Sequence, residues 1–300
     1  MKLAVYASQF RSREIAERAL AFISLCSARH VDLTLARETV EAFGEYDIEV
    51  VNGSTKVVNT ALDVADKYDF VVSLGGDGTF LRAAHWNSEC AFPIVGVNLG
   101  HLGYLTSFSL EELDVLLQRL LTGDYEIETR GMLAVTVDEN RIIGTDDVWF
   151  TALNEVAVLK QDTSSMISIP VKINGRTLGT YHADGLIVAT PTGSTAYNLS
   201  VGGPVLQPTV RALTLSPIAD HSLTMRPLVI DDEVVLEITA LGRTSSYRVS
   251  LDGKSFLLPA GCKITVMKAP YKCKVVCRNE RIFASTLRAK LLWGESYGER

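Results

Sequence analysis

The chain is sparing with cysteine. Five are scattered over 300 residues, at Cys26, Cys90, Cys262, Cys273 and Cys277, an odd number with no paired spacing. That excludes a disulfide-framed secreted module and fits a reducing, cytoplasmic setting. Cys273 and Cys277 share one face of a β-like stretch, but further ligands at metal spacing are missing, so no metal-binding residue is assigned and they read as small buried hydrophobes. Apolar runs long enough to span a bilayer are also missing, which argues against a membrane partner. The opening Met1–Tyr6 is too short for the apolar core of a signal peptide and is soon followed by Arg11, Arg13 and Glu14. Nor is there an excess of positive charge. Twenty-nine Lys and Arg face 35 Asp and Glu, a net charge of −6. A nucleic-acid binder needs a basic surface, so nucleic acid is not an expected partner. A nucleotide enzyme needs only local positive charge, helix N-termini or a metal ion.

What is present is a hydrophobic fraction of 47%, enough for one large domain or two ordinary ones. Over residues 1–124, strand-like and helix-like segments alternate. Leu3–Ala7, Val31–Leu35, Asp69–Leu74 and Phe92–Val97 read as strands. Ser12–Ala28 and Val57–Tyr68 read as helices. Ser109, with Glu112 three residues on, opens another helix with a Leu113, Leu116, Leu117, Leu120 and Leu121 stripe ending at Gly123. This alternation predicts an α/β domain with a parallel sheet. From 125 to 279 short β-like runs dominate. Asn174-Gly175 and Asp252-Gly253 mark hairpins, predicting an all-β, sandwich-like second domain. Residues 280–300 read as a helical segment returning to the first domain.

Three clusters carry chemistry. The first is Gly75-Gly76-Asp77-Gly78-Thr79, after a buried strand and before a helix expected from Thr79. Its glycines let a phosphate approach the backbone, and the helix N-terminus offers free N–H groups. An aspartate there would repel a phosphate placed on it. It must accept a proton, contact a metal or bind a sugar hydroxyl; otherwise it is a local cap in a tight turn. A Walker A loop does not fit, because Arg248 stands where the first glycine should precede Gly253-Lys254-Ser255. The dinucleotide fingerprint fails at Leu81. The second cluster runs from Asp184 through Thr190-Pro191-Thr192-Gly193-Ser194-Thr195-Ala196-Tyr197-Asn198-Leu199-Ser200 to Gly202-Gly203-Pro204. It is an apolar strand feeding a loop dense in hydroxyls, either a polar-ligand loop or a structural one. The third is Asn154-Glu155, polar within an apolar strand and costly unless paired. His30, His85 and His221 read as surface or satisfied core residues, and His101 and His182 as candidate pocket residues.

Together with Asn98–Thr106, these clusters resemble the ordered motif set of the NAD kinase family, over nearly the whole chain. The glycine–aspartate turn alone also occurs in lipid kinases and phosphofructokinases; the combination is far more specific. The resemblance implies transfer of the γ-phosphoryl group of ATP to the 2′-hydroxyl of the adenosine ribose of NAD. It implies Asp77 as proton acceptor, with Gly75, Gly76, Gly78, Thr79 and Arg82 around the nucleotide. It implies Asn154 and Glu155 on the adenosine, and Asp184, Thr192, Thr195, Ala196, Tyr197, Asn198, Leu199 and Ser200 cradling the dinucleotide in a cleft between two domains. It further implies a divalent ion, magnesium, with ATP, and a homodimer or homotetramer. His182, Asn198 and Lys254 depart from the family's frequent arginine, serine and glutamine. Two other readings remain open here: a lipid or sphingoid-base kinase, which should show an apolar groove or a basic amphipathic face, and a dinucleotide sensor without turnover.

Overall fold

A computed structural model describes residues 1–51, 55–63, 68–100, 103–138, 142–143, 149–161, 165–278 and 283–294. In chain order the elements are β1 (Lys2–Tyr6), α1 (Arg13–Ala28), β2 (Asp32–Ala36), α2 (Arg37–Gly44), β3 (Lys56–Val58), β4 (Phe70–Leu74), α3 (Asp77–Trp86), β5 (Ile94–Asn98), β6 (Phe108–Ser109), α4 (Leu113–Thr122) and β7 (Glu126–Arg130). There follow β8 (Leu133–Val137), β9 (Thr151–Ala152), β10 (Glu155–Lys160), β11 (Ile167–Ile173), β12 (Arg176–Ala183), β13 (Gly185–Ala189), α5 (Tyr197–Ser200), β14 (Ala212–Ile218), β15 (Leu228–Asp231), β16 (Leu236–Thr239), β17 (Ser246–Leu251), β18 (Lys254–Pro259) and β19 (Lys263–Lys268). The chain closes with β20 (Cys273–Cys277) and α6 (Phe283–Leu291).

Two compact units result: Met1–Thr129 with Cys273–Arg300, and Arg130–Lys272. In the first, the strand order is β3-β2-β1-β4-β5-β20-β7, with β6 beside β5. The pairs of β1 with β2 and β4, of β2 with β3, of β4 with β5, and of β5 with β6 and β20 are all parallel. β4 and β5 are buried along their whole length, as strands covered on both faces must be. Ser12 caps α1 by accepting from the Ile15 N–H. The Ser109–Glu112 capping box forms around a short 3₁₀ turn that leads into α4, and Gly123 ends α4 with φ 78°.

The structure departs from the sequence reading in three places. Lys56–Val58 is not helix but an edge strand paired with Thr34–Ala36; β-branched Val57 and Val58 suit it, and only Ala61–Asp63 turns helically before residues 64–67, outside the described set. The helix after the glycine turn starts at Asp77, not Thr79. β7 and β20, read by composition with residues 125–279, pair into the first unit's sheet. The C-terminal segment is read from sequence as returning to the first domain, and α6 does fall within the first unit, with none of its residues buried.

In the second unit two six-stranded sheets have the orders β15-β14-β13-β10-β17-β18 and β12-β11-β16-β19-β8-β9. Among the described residues, neighbouring strands in both sheets pair antiparallel. Val156, Val158, Leu186 and Val249 from one sheet and Ile169, Ile238, Ile264 and Val266 from the other fill one core, which makes the unit a sandwich. Asn174-Gly175 and Asp252-Gly253 are two-residue hairpin turns with positive φ at both positions (50° and 75°; 49° and 88°), the geometry of a type I′ turn. No helix among the described residues is long and apolar enough to cross a membrane.

Candidate functional site

In the first unit the strand order reverses direction between β1 and β4, so the carboxyl ends of these strands flank a crevice of the kind where open α/β sheets bind ligands. β1 delivers Ser8 there and β4 delivers Gly75-Gly76. The Ser8 and Thr79 hydroxyls lie 3.2 Å apart across it. A Cβ on Gly75 would overlap the Thr79 side chain, so only glycine fits. Gly76 and Gly78 are exposed, with open space where a Cβ would stand, leaving the backbone at the start of α3 accessible.

Asp77 is the first residue of α3, but its carboxylate does not cap that helix. It accepts the N–H groups of Tyr104 (2.7 Å) and Leu105 (3.1 Å). A Cβ on Gly103 would overlap the same carboxylate, so the loop after β5 closes tightly over it. Thr106 and Asn98 hold that loop: Asn98 Nδ2 donates to Thr106 Oγ1 at 3.1 Å, and the Gly103 N–H donates to it at 3.0 Å. His101 lies outside the described residues.

Arg82, exposed on α3, acts on the buried Tyr6 phenol. Burial pushes that phenol well above its ordinary range, Glu38 adds to the shift and Arg82 opposes it. Glu38 Oε2 is buried without a partner, and its carboxyl is raised mainly by burial. Sequence reading missed Ser8, which the β1–β4 pairing brings to the glycine turn, and the approach of Tyr6 to Glu38 and Arg82, which forms only through tertiary packing.

In the second unit the structure joins Asn154-Glu155 to the hydroxyl-rich loop. Thr190 donates its N–H to the Asn154 carbonyl (2.8 Å) and its hydroxyl to that of Leu153 (2.5 Å). Gly193 lies so close to the Asn154 backbone that a Cβ would overlap it. Thr192–Thr195 is a 3₁₀ turn and Tyr197–Ser200 one helical turn. The Tyr197 N–H donates to the Glu155 carboxyl, while Glu155 Oε2 is buried without a partner. Burial, then the charge of Asp252, pushes Glu155 up to about 7. Burial also pushes Asp252 up to about 6, against three backbone N–H bonds that lower it. Tyr197 is 39% exposed, with its ring free to stack, and Thr192 Oγ1 is buried without a partner.

Two predicted residues are occupied elsewhere. Asn198 is fully buried: Nδ2 donates to the carbonyls of Ser194 (3.2 Å) and Pro204 (3.1 Å), and Oδ1 accepts from Ser216 Oγ at 2.7 Å. It builds the loop from inside. Asp184 is the corner where the chain passes from one sheet to the other, and it is ion-paired with Lys160 at 2.7 Å. Glu155 faces Ala189 and Leu159 faces Gly185, so Asp184 sits at the far end of β13, about 16 Å from the loop. The structure does not bring it to Asn154-Glu155. Exposed His182 meets the Ser168 hydroxyl at 3.1 Å.

A glycine turn at a switch point, with an aspartate fixed beside an open helix N-terminus, and a β sandwich bearing a polar loop define a phosphotransferase of the nucleotide-using kind. Residues 7–125 match the model of the ATP-NAD kinase N-terminal domain, and residues 153–277 that of the ATP-NAD kinase C-terminal domain. The chain therefore belongs to the ATP-NAD kinase family. It is 40% identical to the NAD kinase of Porphyromonas gingivalis over 293 residues, and 38% identical to that of Bacteroides fragilis over 298, covering 98% of each chain in both cases. Among solved structures it resembles an Archaeoglobus fulgidus NAD kinase in complex with ATP, at 26% identity and a TM-score of 0.71 over 96% of this chain and 99% of that one. A yeast NADH kinase complexed with NADH shares its fold, with 23% identity and a TM-score of 0.85 over 100% of this chain and 90% of that one.

Proposed function

We propose that Asp77 accepts the proton of the adenosine ribose 2′-hydroxyl of NAD as the γ-phosphoryl group of ATP arrives, making NADP. The observation that carries this is the pair of N–H bonds from Tyr104 and Leu105, which fix one carboxylate at the mouth of a phosphate-accessible turn. As a member of its family the protein phosphorylates NAD with ATP. Phosphoryl transfer is mainly positioning and charge neutralisation. The exposed Gly76 and Gly78 backbone at the start of α3 receives phosphate, Thr79 and Ser8 line the turn, and Arg82 supplies positive charge. Asn154 and Glu155 hold the adenosine, Glu155 through its unpartnered oxygen, and Tyr197 stacks on the nucleotide, with Thr192, Thr195, Ala196, Leu199 and Ser200 shaping the loop beneath it.

A magnesium ion arriving with ATP rides mostly on the phosphates and needs at most one or two carboxylates. Asp77, with acceptor capacity left on each oxygen beyond its N–H bonds, fits that need; bound there, the ion would neutralise phosphate charge. The protein is further read as a cytoplasmic homodimer or homotetramer, on the family resemblance, which light scattering checks for the assembly.

The test is purified protein with ATP, magnesium and NAD, with NADP read through a coupled dehydrogenase. Wild type yields NADP. Asp77→Asn keeps its KM for NAD and loses about 10²–10⁴-fold in kcat, the usual share of general-base help. A folded Asp77→Asn protein turning over like wild type would remove the proton acceptor, and tight NAD binding without product in wild type would make the protein a sensor.

A further inference from the structure

The Asp252-Gly253 hairpin turn needs no more than two residues that tolerate positive φ. Its aspartate does more. The Asp252 carboxylate reaches from the β17–β18 turn to the start of β10, where Oδ2 accepts the Leu153 N–H at 2.7 Å and Oδ1 accepts those of Asn154 and Glu155 at 2.8 and 3.0 Å. Its own N–H returns a bond to the Glu155 carbonyl at 3.2 Å. Successive backbone N–H groups converging on one anion form a nest. The residue as a whole is half-buried, with its turn backbone near the surface and its carboxyl enclosed.

We propose that Asp252 is a positioning residue for nucleotide recognition, fixing the backbone of Leu153–Glu155 so that the Asn154 and Glu155 side chains face the adenosine of NAD. The proposal rests on the reading that Asn154 and Glu155 bind that adenosine. Three features support it. The same short segment is held from its other side by Thr190 and Gly193, so it is clamped rather than merely paired. Glu155 leaves one buried oxygen without a partner in the protein, as a ligand hydroxyl or amino group would require. And burying a second carboxylate beside Glu155 is unfavourable for stability alone, because the two charges repel. A hairpin turn would be served as well by Asn-Gly without that repulsion.

Asp252 also biases the proton on Glu155. Among the described residues its charge is the one that acts on that carboxyl, with the Tyr197 N–H opposing. Removing the charge at 252 therefore lowers the pH at which Glu155 ionises. A residue that only built the turn would leave nucleotide recognition and its pH dependence unchanged in the folded protein.

The experiment is steady-state kinetics on Asp252→Asn and Asp252→Gly, both of which tolerate positive φ, across pH 6 to 8. We expect the KM for NAD to rise about tenfold or more, kcat to change less, and the KM for ATP to stay within about twofold. We also expect the titration visible in the NAD KM to move to lower pH. Either folded variant with a wild-type KM and pH profile overturns the proposal, as does a loss confined to kcat. Should neither variant fold, Asp252 is a folding residue and the proposal is likewise overturned. Asn154→Ala separates the underlying reading: if that variant keeps its KM for NAD, the assignment of adenosine to Asn154-Glu155 fails, whatever Asp252 does.

Discussion

Asp77 and Glu155 are both acidic residues in polar clusters, yet their surroundings set them apart. Asp77 is half-exposed, and two backbone N–H donors hold its side chain in place at the turn. Glu155 is 9% exposed beside a second buried acid. Its carboxyl, raised from 4.5 to about 7, stays protonated in the folded chain where the unfolded chain has already released its proton. The unfolded state then binds fewer protons than the folded one, so stability falls with rising pH between those two values and levels above the upper one. At about 1.4 kcal/mol per pH unit this is on the order of 3 kcal/mol. Glu155→Gln cannot titrate. Its melting temperature should therefore fall less than that of wild type between pH 5 and 7.5, as scanning calorimetry would show; identical falls would mean that Glu155 carries no such proton.

At the level of elements, the loop after β5 and helix α3 work as one piece, because the loop's N–H groups hold the helix's first side chain. Gly103 permits this. Its Cβ would overlap the Asp77 carboxylate, whereas Gly78 has open space at the same point. Gly103→Ala should push the carboxylate off Tyr104 and Leu105 and lower kcat toward the Asp77→Asn level, with a melting temperature lowered by a few degrees at most. Wild-type kcat in Gly103→Ala would show that the carboxylate's placement does not matter. Gly44→Ala serves as the control, since the fold has open space there and the residue lies outside the site. The glycine–aspartate turn was readable because its residues are contiguous and follow a buried strand. So were the capping box at Ser109 and both type I′ turns, which depend on neighbours in sequence. What local pattern could not show is pairing at a distance. Asp252-Gly253 reads as a turn, and nothing nearby says that its carboxylate reaches Leu153, 99 residues earlier. Asn198 sits in the middle of the hydroxyl-rich loop yet spends its amide on that loop's own carbonyls. Asp184 looks adjacent to the loop in sequence, but one extended strand places it at the opposite end of the sheet. Val57 and Val58 have helix-compatible spacing, and an open edge at β2 captured them as a strand.

For the whole molecule, the decisive fact is that the sandwich unit is an insertion. β7 ends at Arg130 and β20 begins at Cys273, and these two strands are neighbours in the same eight-stranded sheet. The parallel sheet is therefore incomplete until the chain has passed through all of residues 130–272. β20 lies between β5 and β7, and its Val275 and Val276 are fully buried. The sandwich has no such dependence. Its core draws on residues from Leu133 to Val266, all from its own unit, and its length is that of an ordinary independent domain. The isolated segment 130–272 should accordingly fold, giving a β-rich circular dichroism spectrum and a single cooperative urea transition, with slow refolding because antiparallel sandwiches are built from distant contacts. The chain ending at residue 272 should keep that transition and lose the helical signal of the first unit, since removing β20 leaves β7 and the part of β5 not paired with β6 without a neighbour in the middle of a sheet. A segment 130–272 that melts without cooperativity would mean that the sandwich requires the first unit. A chain 1–272 with undiminished helix content would mean that β20 closes a sheet already able to stand without it.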